Sequence, residues 1–256
     1  MSEINEHSVR NAVTDPRYAE ERKKVDAAFS EQNLLPDSWS THDSPSGQYH
    51  LTVHDCDERG FDYSRGQVSR GGRPIAEVRR SDCQFFFGWA EGHANGHDYL
   101  LCGEHLYGQT VIELDTGHRV DFITEDGRDE NSFICTDYYP SPDRRFIVVG
   151  GCYWACPFDL VICRFANPMA LPWIEIDRGD GSNRAEGWNE EGFVFETSDD
   201  VRASDGKSYS EMTIEERTGF LNRRQELGAT RKRRFLWMPD MSKRFLSEVI
   251  VPNSPQ

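Results

Sequence analysis

Ser141-Pro142-Asp143-Arg144-Arg145-Phe146 runs directly into Ile147-Val148-Val149, a Pro/Asp turn feeding an apolar β-branched run, and it decides the fold because it recurs. Pro presets the turn dihedral and Asp bonds its own backbone, so such a segment reverses the chain before a strand. Its counterparts are Ser44-Pro45-Ser46-Gly47-Gln48-Tyr49, His93-Ala94-Asn95-Gly96-His97-Asp98-Tyr99 and Asn189-Glu190-Glu191-Gly192-Phe193. The aromatic opening each strand falls at Tyr49, Tyr99, Phe146 and Phe193, at spacings of 50, 47 and 47 residues. An aromatic segment precedes each turn: Trp39, Phe85-Phe86-Phe87-Gly88-Trp89, Phe133-Ile134-Cys135 and Trp188. A second strand pair follows each, clearest in Thr110 to Val120 around Asp115-Thr116-Gly117. The others are Val68 to Val78 around Gly71-Gly72, Leu160 to Phe165 before Ala166-Asn167-Pro168, and Phe235 to Met238 before Asp240 to Lys243. Strand, turn, strand, loop, strand, turn, strand is thus expected four times, giving an all-β chain.

A period of 40–50 residues belongs to propeller blades. The Ser-Pro-Asp-Arg turn with its following aromatic, and the Val111-Ile112-Glu113-Leu114-Asp115-Thr116-Gly117 hairpin, resemble WD40-like and related β-propeller repeats over roughly residues 38–250. No Trp-Asp dipeptide closes a blade and no Gly-His pair opens one in register. The resemblance implies a small or partial β-propeller of four blade-like antiparallel repeats: a four-bladed ring, an open stack, or half a ring completed by a second chain. A β-sandwich with regular hairpins is the alternative.

Two helical segments interrupt this pattern. Asp15-Pro16 starts one with Pro in its first turn, and Tyr18, Val25, Ala28 and Phe29 form a sparse apolar stripe. Leu34-Leu35-Pro36 is expected to end it, leaving residues 1–36 as a helical appendage before a β-repeat domain at 37–250 and a tail at 251–256. Within the fourth repeat, Thr213-Ile214-Glu215-Glu216 reads as a capping box, with Phe220, Leu221 and Leu227 as an apolar face and Gly228 as C-cap. A helical insertion at about 205–230 follows.

Composition bounds the function. The 256 residues carry 29 Lys+Arg against 44 Asp+Glu, a net charge of −15. That makes a nucleic-acid backbone a poor partner and a basic protein or a cation a better one. No apolar run is long enough to span a bilayer, and Met1 to His7 lacks the basic and apolar parts of a secretory leader. Seven cysteines, an odd number, read as reduced thiols, so a cytoplasmic location is expected. The charge is uneven: Arg223 to Arg244 holds eight cations against Glu226 and Asp240. Arg231-Lys232-Arg233-Arg234 could face an acidic partner or RNA, but an acidic body draws such a run inward first.

Few constellations carry chemistry. His50, Thr52, His54 and Cys56 share one strand face. His93, His97, Cys102 and His105, with Glu104 among them, are the candidate metal ligands if a metal is held, Zn being the ion that imidazole and thiolate suit. Asp43, Asp98, Glu104, Asp137 and Glu190 sit near the repeat entries, where propeller hydrolases gather carboxylates around Ca or Mg. No Gly-x-Ser-x-Gly elbow, P-loop or dinucleotide fingerprint occurs, and no catalytic residue is assigned. Cys152 and Cys156 bracket Tyr153-Trp154-Ala155 in the Gly150 to Pro157 segment, whose Gly, Tyr, Trp and Pro make a rigid contact loop. The expected binding residues are therefore Asp137, Tyr138, Tyr139, Tyr153 and Trp154. The reading is a non-catalytic protein-recognition module, an inhibitor or immunity-type protein or an assembly partner of a basic protein, with no cofactor. The alternative is a metal-assisted propeller hydrolase.

Overall fold

The computed structural model describes residues 16–29, 33–58, 61–81, 84–104, 108–123, 133–153, 158–179, 182–208, 211–216 and 228–253. A helix, α1 (Pro16–Ala28), precedes β1 (Leu34–Asp43), β2 (Tyr49–Glu58), β3 (Phe61–Arg70) and β4 (Arg73–Arg80). Then come β5 (Phe87–Ala90), β6 (Tyr99–Cys102), β7 (Gly108–Glu113), β8 (Arg119–Ile123), β9 (Phe133–Pro140), β10 (Phe146–Tyr153), β11 (Asp159–Arg164) and β12 (Glu175–Arg178). The series ends with β13 (Ser182–Asn189), β14 (Gly192–Val201), β15 (Ala229–Trp237) and β16 (Lys243–Pro252). They form four antiparallel sheets of four strands, each in chain order: β1 to β4, β5 to β8, β9 to β12 and β13 to β16. Each expected repeat is one sheet. Each sheet is a meander of consecutive strands, unlike the Greek-key connections of immunoglobulin-type sandwiches.

The recurrent turns recur in their bonds as well. Ser44 N–H donates to Tyr49 O at 2.9 Å and Gly47 N–H to Ser44 O at 2.8 Å. Two repeats on, Ser141 N–H donates to Phe146 O at 2.8 Å and Arg144 N–H to Ser141 O at 2.9 Å. The hydroxyls of Ser44 and Ser141 accept from the amides of Tyr49 and Phe146 at 3.2 and 3.0 Å. Gly47 and Arg144 hold the same left-handed position at φ 70° and 58°, at steric cost only for the arginine.

By contact density the chain divides into two units, Met1–Cys156 with Ile162–Glu175, and Pro157–Val161 with Ile176–Gln256. In the first, alternation sends Tyr49, Leu51, Val53, Val68 and Val78 into one core with Leu100, Cys102, Ile112 and Leu114 of the second sheet. Full burial of each aliphatic side chain contributes about 1.5–3 kcal/mol. In the second, Phe195 lies 4.3 Å from Trp237 between ring centroids, Phe193 stacks on Trp237, and Trp237 Nε1 donates to Asp177 at 2.6 Å.

The helical segments depart from expectation in detail. α1 stops at Ala28, and Leu34-Leu35-Pro36 opens β1 instead of closing the helix, because Leu34 pairs with Cys56. Charge fixes α1: Arg22 donates to both oxygens of Glu104 at 2.9 and 2.8 Å, and Arg79 donates to Asp26 at 3.0 Å. The capping box forms, with Thr213 N–H donating to Glu216 Oε2 at 2.8 Å and Glu216 N–H to Thr213 Oγ1 at 3.2 Å. That Thr213 amide, then Arg202 and Lys207, holds the Glu216 carboxyl down at about 2. Phe220, Leu221 and Leu227 lie outside the described residues. Among those described, no helix is long and apolar enough to cross a membrane.

Candidate functional site

The first sheet buries one face and presents the other. Opposite its core residues, three cross-strand rows run over it: Trp39–His54–Arg65–Arg79, Thr41–Thr52–Gln67–Glu77, and Asp43–His50–Ser69–Pro74. The β4 side is tied to α1. Arg79 donates to Glu77 at 2.6 Å as well as to Asp26, and Gln67 donates to Glu77 at 2.8 Å. Burial works against the Glu77 charge, but these bonds outweigh it and lower its pKa.

On the β1 side no further strand pairs among the described residues. β1 is the end strand of its sheet, and its register slips between Leu34 and Trp39. The slip follows from sequence, since Pro36 has no N–H for a ladder and Asp tolerates the left-handed conformation that Asp37 adopts at φ 69°. It leaves Leu35, Asp37 and Trp39 exposed, the indole by 60%. At the far end Asp43 Oδ1 lies 2.5 Å from Nδ1 of His50, both side chains exposed. An accessible indole thus stands between two carboxylates on an open edge. Such a surface receives a cationic or amphipathic side chain over the ring and strand-like backbone along the edge. Burial first, then Arg65, lowers the pKa of His54 behind it. Ser40 Oγ lies 2.9 Å from Nε2 of His42 on the other face of β1, where that ring packs on Phe87 at 4.9 Å; no carboxylate bonds its second nitrogen among the described residues.

The residues picked from sequence lie on β9 and at the end of its neighbour β10, as far as they are described. Asp137, Tyr138 and Tyr139 lie on β9, where alternation sends Asp137 and Tyr139 to one face and Tyr138 to the other. Tyr138 packs so closely against Gly88 that a Cβ there would stand 2.5 Å from its own Cβ, and its ring meets Trp173 edge-on. Burial raises its hydroxyl pKa well above the usual value. Tyr153 ends β10, and Trp154 and Cys156 lie outside the described residues. Cys152 is a buried free thiol.

The described candidate metal ligands do not converge. His93 is buried, with Nε2 2.9 Å from Phe165 O and Nδ1 2.8 Å from Asn95 Oδ1, so both nitrogens serve the fold. His97 is partly exposed, 3.5 Å from Asp115. Cys102 belongs to the core, and burial pushes its thiol up to about 12. His105 lies outside the described residues. Among those described, no three His, Cys, Asp or Glu side chains are grouped to hold a metal. The carboxylates near repeat entries are used locally: Asp98 accepts from Tyr49 at 3.0 Å and Glu104 from Arg22.

Arg223 and Arg224 lie outside the described residues, and Arg231 to Arg234 are consumed within their own sheet and the segment beside it. Arg231 pairs with Glu211 at 3.0 Å, Lys232 with Glu196 at 3.1 Å, Arg233 with Asp199 at 2.5 Å and Arg234 with Glu186 at 2.5 Å. Arg244 pairs with Glu191. The inward reading of this run is therefore the one its geometry follows.

Sequence reasoning missed the openness of β1. Trp39 reads as one more aromatic before a turn, and only Pro36-Asp37 just before it signals the broken ladder.

No protein-family model matches the chain. An uncharacterized protein of Acanthamoeba polyphaga mimivirus is 24% identical over 207 residues, covering 76% of this chain and 80% of that protein.

Proposed function

We propose that this protein is a non-catalytic protein-recognition module that binds a basic partner, built on a WD40-like arrangement of blades. The observation that carries the reading is Trp39, 60% exposed on the open edge β1 between the carboxylates of Asp37 and Asp43. A large rigid aromatic left in water on an edge strand is the kind of residue that anchors interfaces. The charge supports a basic partner: the net is −15, and Arg231 to Arg234 are already paired with carboxylates of their own unit. Asp137 and Tyr139, sharing a face of β9, supply a second acidic and aromatic contact. An inhibitor, immunity-type protein or assembly partner in the cytoplasm would use such a surface with no cofactor.

The test is capture from the native host with the intact chain and with Trp39→Ala as parallel baits. A basic protein retained by the first, released by salt, and lost by the second supports the reading. Equal recovery on both baits sinks it. So does a stoichiometric metal ion that disappears on His97→Ala, which would favour metal-assisted hydrolysis instead.

A further inference from the structure

The outward face of the first sheet holds polar groups that its own bonds leave unmatched. In the cross-strand row Trp39–His54–Arg65–Arg79, only the far end is neutralised: Arg79 donates to Glu77 and Asp26 and meets the Phe29 ring at 5.7 Å. Arg65 beside it makes no hydrogen bond or ion pair among the described residues, and its Nε is sealed from water. Glu77, whose charge Arg65 favours, already accepts from Arg79 at 2.6 Å and from Gln67 at 2.8 Å. His54, directly across on β2, likewise has Nδ1 buried and unbonded among the described residues. Its pKa is lowered by burial first and then by Arg65, with Asp55 opposing, so the positive charge at this spot is not cancelled locally. One row along, the hydroxyls of Thr41 and Thr52 make no side-chain bond among the described residues either.

These groups select an occupant. A guanidinium without a carboxylate, beside an imidazole, favours an oxygen anion that accepts from both. The indole at the other end of the row is 60% exposed and offers a flat apolar face. Neighbouring strands lie about 4.8 Å apart, so Trp39 and Arg65, two strands apart, stand about 10 Å apart at the backbone. A flat ring joined to a phosphate through a short hydroxyl-bearing spacer spans that offset, with the Thr41 and Thr52 hydroxyls beside the spacer. That is the build of a nucleoside monophosphate, and stacking of a base on an aromatic side chain tolerates any base. A net charge of −15 repels a polymer of phosphates. A single phosphate answers mainly to charges within a Debye length, roughly 8–10 Å.

We propose that the outward face of β1 to β3 is a nucleotide site, with the base on Trp39 and the phosphate on Arg65 and His54. It does not rest on the protein-recognition reading, and Arg65→Gln separates the two because it leaves the edge of β1 intact. AMP, adenosine and inorganic phosphate are titrated separately into the intact chain by calorimetry. AMP binds saturably, and adenosine and phosphate each bind at least about tenfold more weakly, since each lacks half of the contact. Arg65→Gln weakens AMP binding about tenfold or more with an unchanged circular dichroism spectrum. If that variant unfolds, His54→Gln carries the same test. Trp39→Phe retains AMP binding and Trp39→Ala loses it. Absence of saturable binding for AMP, GMP, CMP and UMP alike overturns the proposal. So does AMP binding that survives Arg65→Gln, or inorganic phosphate that binds as tightly as AMP, which would leave an anion site without a ring.

Discussion

β1 and β16 are both end strands of four-stranded meanders, and they treat their open edges in opposite ways. In β1 the ladder is broken by Pro36 and bent at Asp37, and apart from Leu35 and Trp39 its exposed residues are polar. In β16 the ladder runs to Pro252 with one slip, and apolar side chains stand out on both faces. An edge guarded by proline, a slip of register and carboxylates resists indiscriminate pairing and leaves a single anchor for a selective contact. Behind β16 the cations of β15 are matched by carboxylates, so the two edges differ in apolar exposure more than in local charge balance.

Four measurements would break or sharpen that contrast. The largest effect belongs to the core behind β16: Phe195→Ala, which removes a fully buried ring packed on Trp237, is expected to cost about 3–5 kcal/mol in denaturant unfolding. Phe245→Ala on the edge itself should cost below about 1 kcal/mol in monomeric protein; a loss matching that of Phe195 would show that β16 is not an open edge. Next, Thr213→Ala removes the cap beside the carboxylates that pair with β15, and a loss of about 1 kcal/mol in local opening by amide exchange is expected.

Acid should then act on the β15 side. Glu211 is held down to about 2 by the Ser208 amide and then Arg231, and Glu216 to about 2 by the Thr213 amide and then Arg202 and Lys207, against 4.5 for an ordinary glutamate. A depressed carboxylate stabilises the folded chain above its unfolded value, and that contribution fades as pH falls from about 4.5 toward about 2. Both groups face water, so the effect is small and salt-sensitive; amide protection in 202–216 should fall across that window, and less so in Glu216→Gln. The smallest effect is Trp39→Ala, which should leave unfolding within about 0.5 kcal/mol of the parent while abolishing partner capture. A large destabilisation would mean that the indole is structural after all.

Much of this fold was legible in the sequence. The turns at Ser44, His93, Ser141 and Asn189 mark the sheets because turn chemistry is local: a Ser hydroxyl and a tight backbone reversal need no distant partner. The capping box at Thr213 was legible for the same reason. Side-chain alternation likewise placed Leu51 and Val53 opposite His50 and Thr52. The end of α1 was misread because Leu34-Leu35-Pro36 fits a helix stop as well as a strand start, and pairing with Cys56 chooses between them. The site was less legible. Asp137-Tyr138-Tyr139 reads as a contiguous patch, yet pleating divides it and packing beneath Gly88 buries one ring.

The sequence by itself determined where the chain turns, how many sheets it makes and which residues of each strand share a face, because these depend on dihedral preference and a period of two. Tertiary structure alone decided which aromatics reach water. Trp39 and Trp237 both lie in strands beside a turn, but one faces outward from an end strand and the other packs between Phe193 and Phe195. It also decided that the cations of β15 meet carboxylates brought from Glu186, Glu196, Asp199 and Glu211, a pairing set by strand order and register across stretches of chain that no local pattern connects.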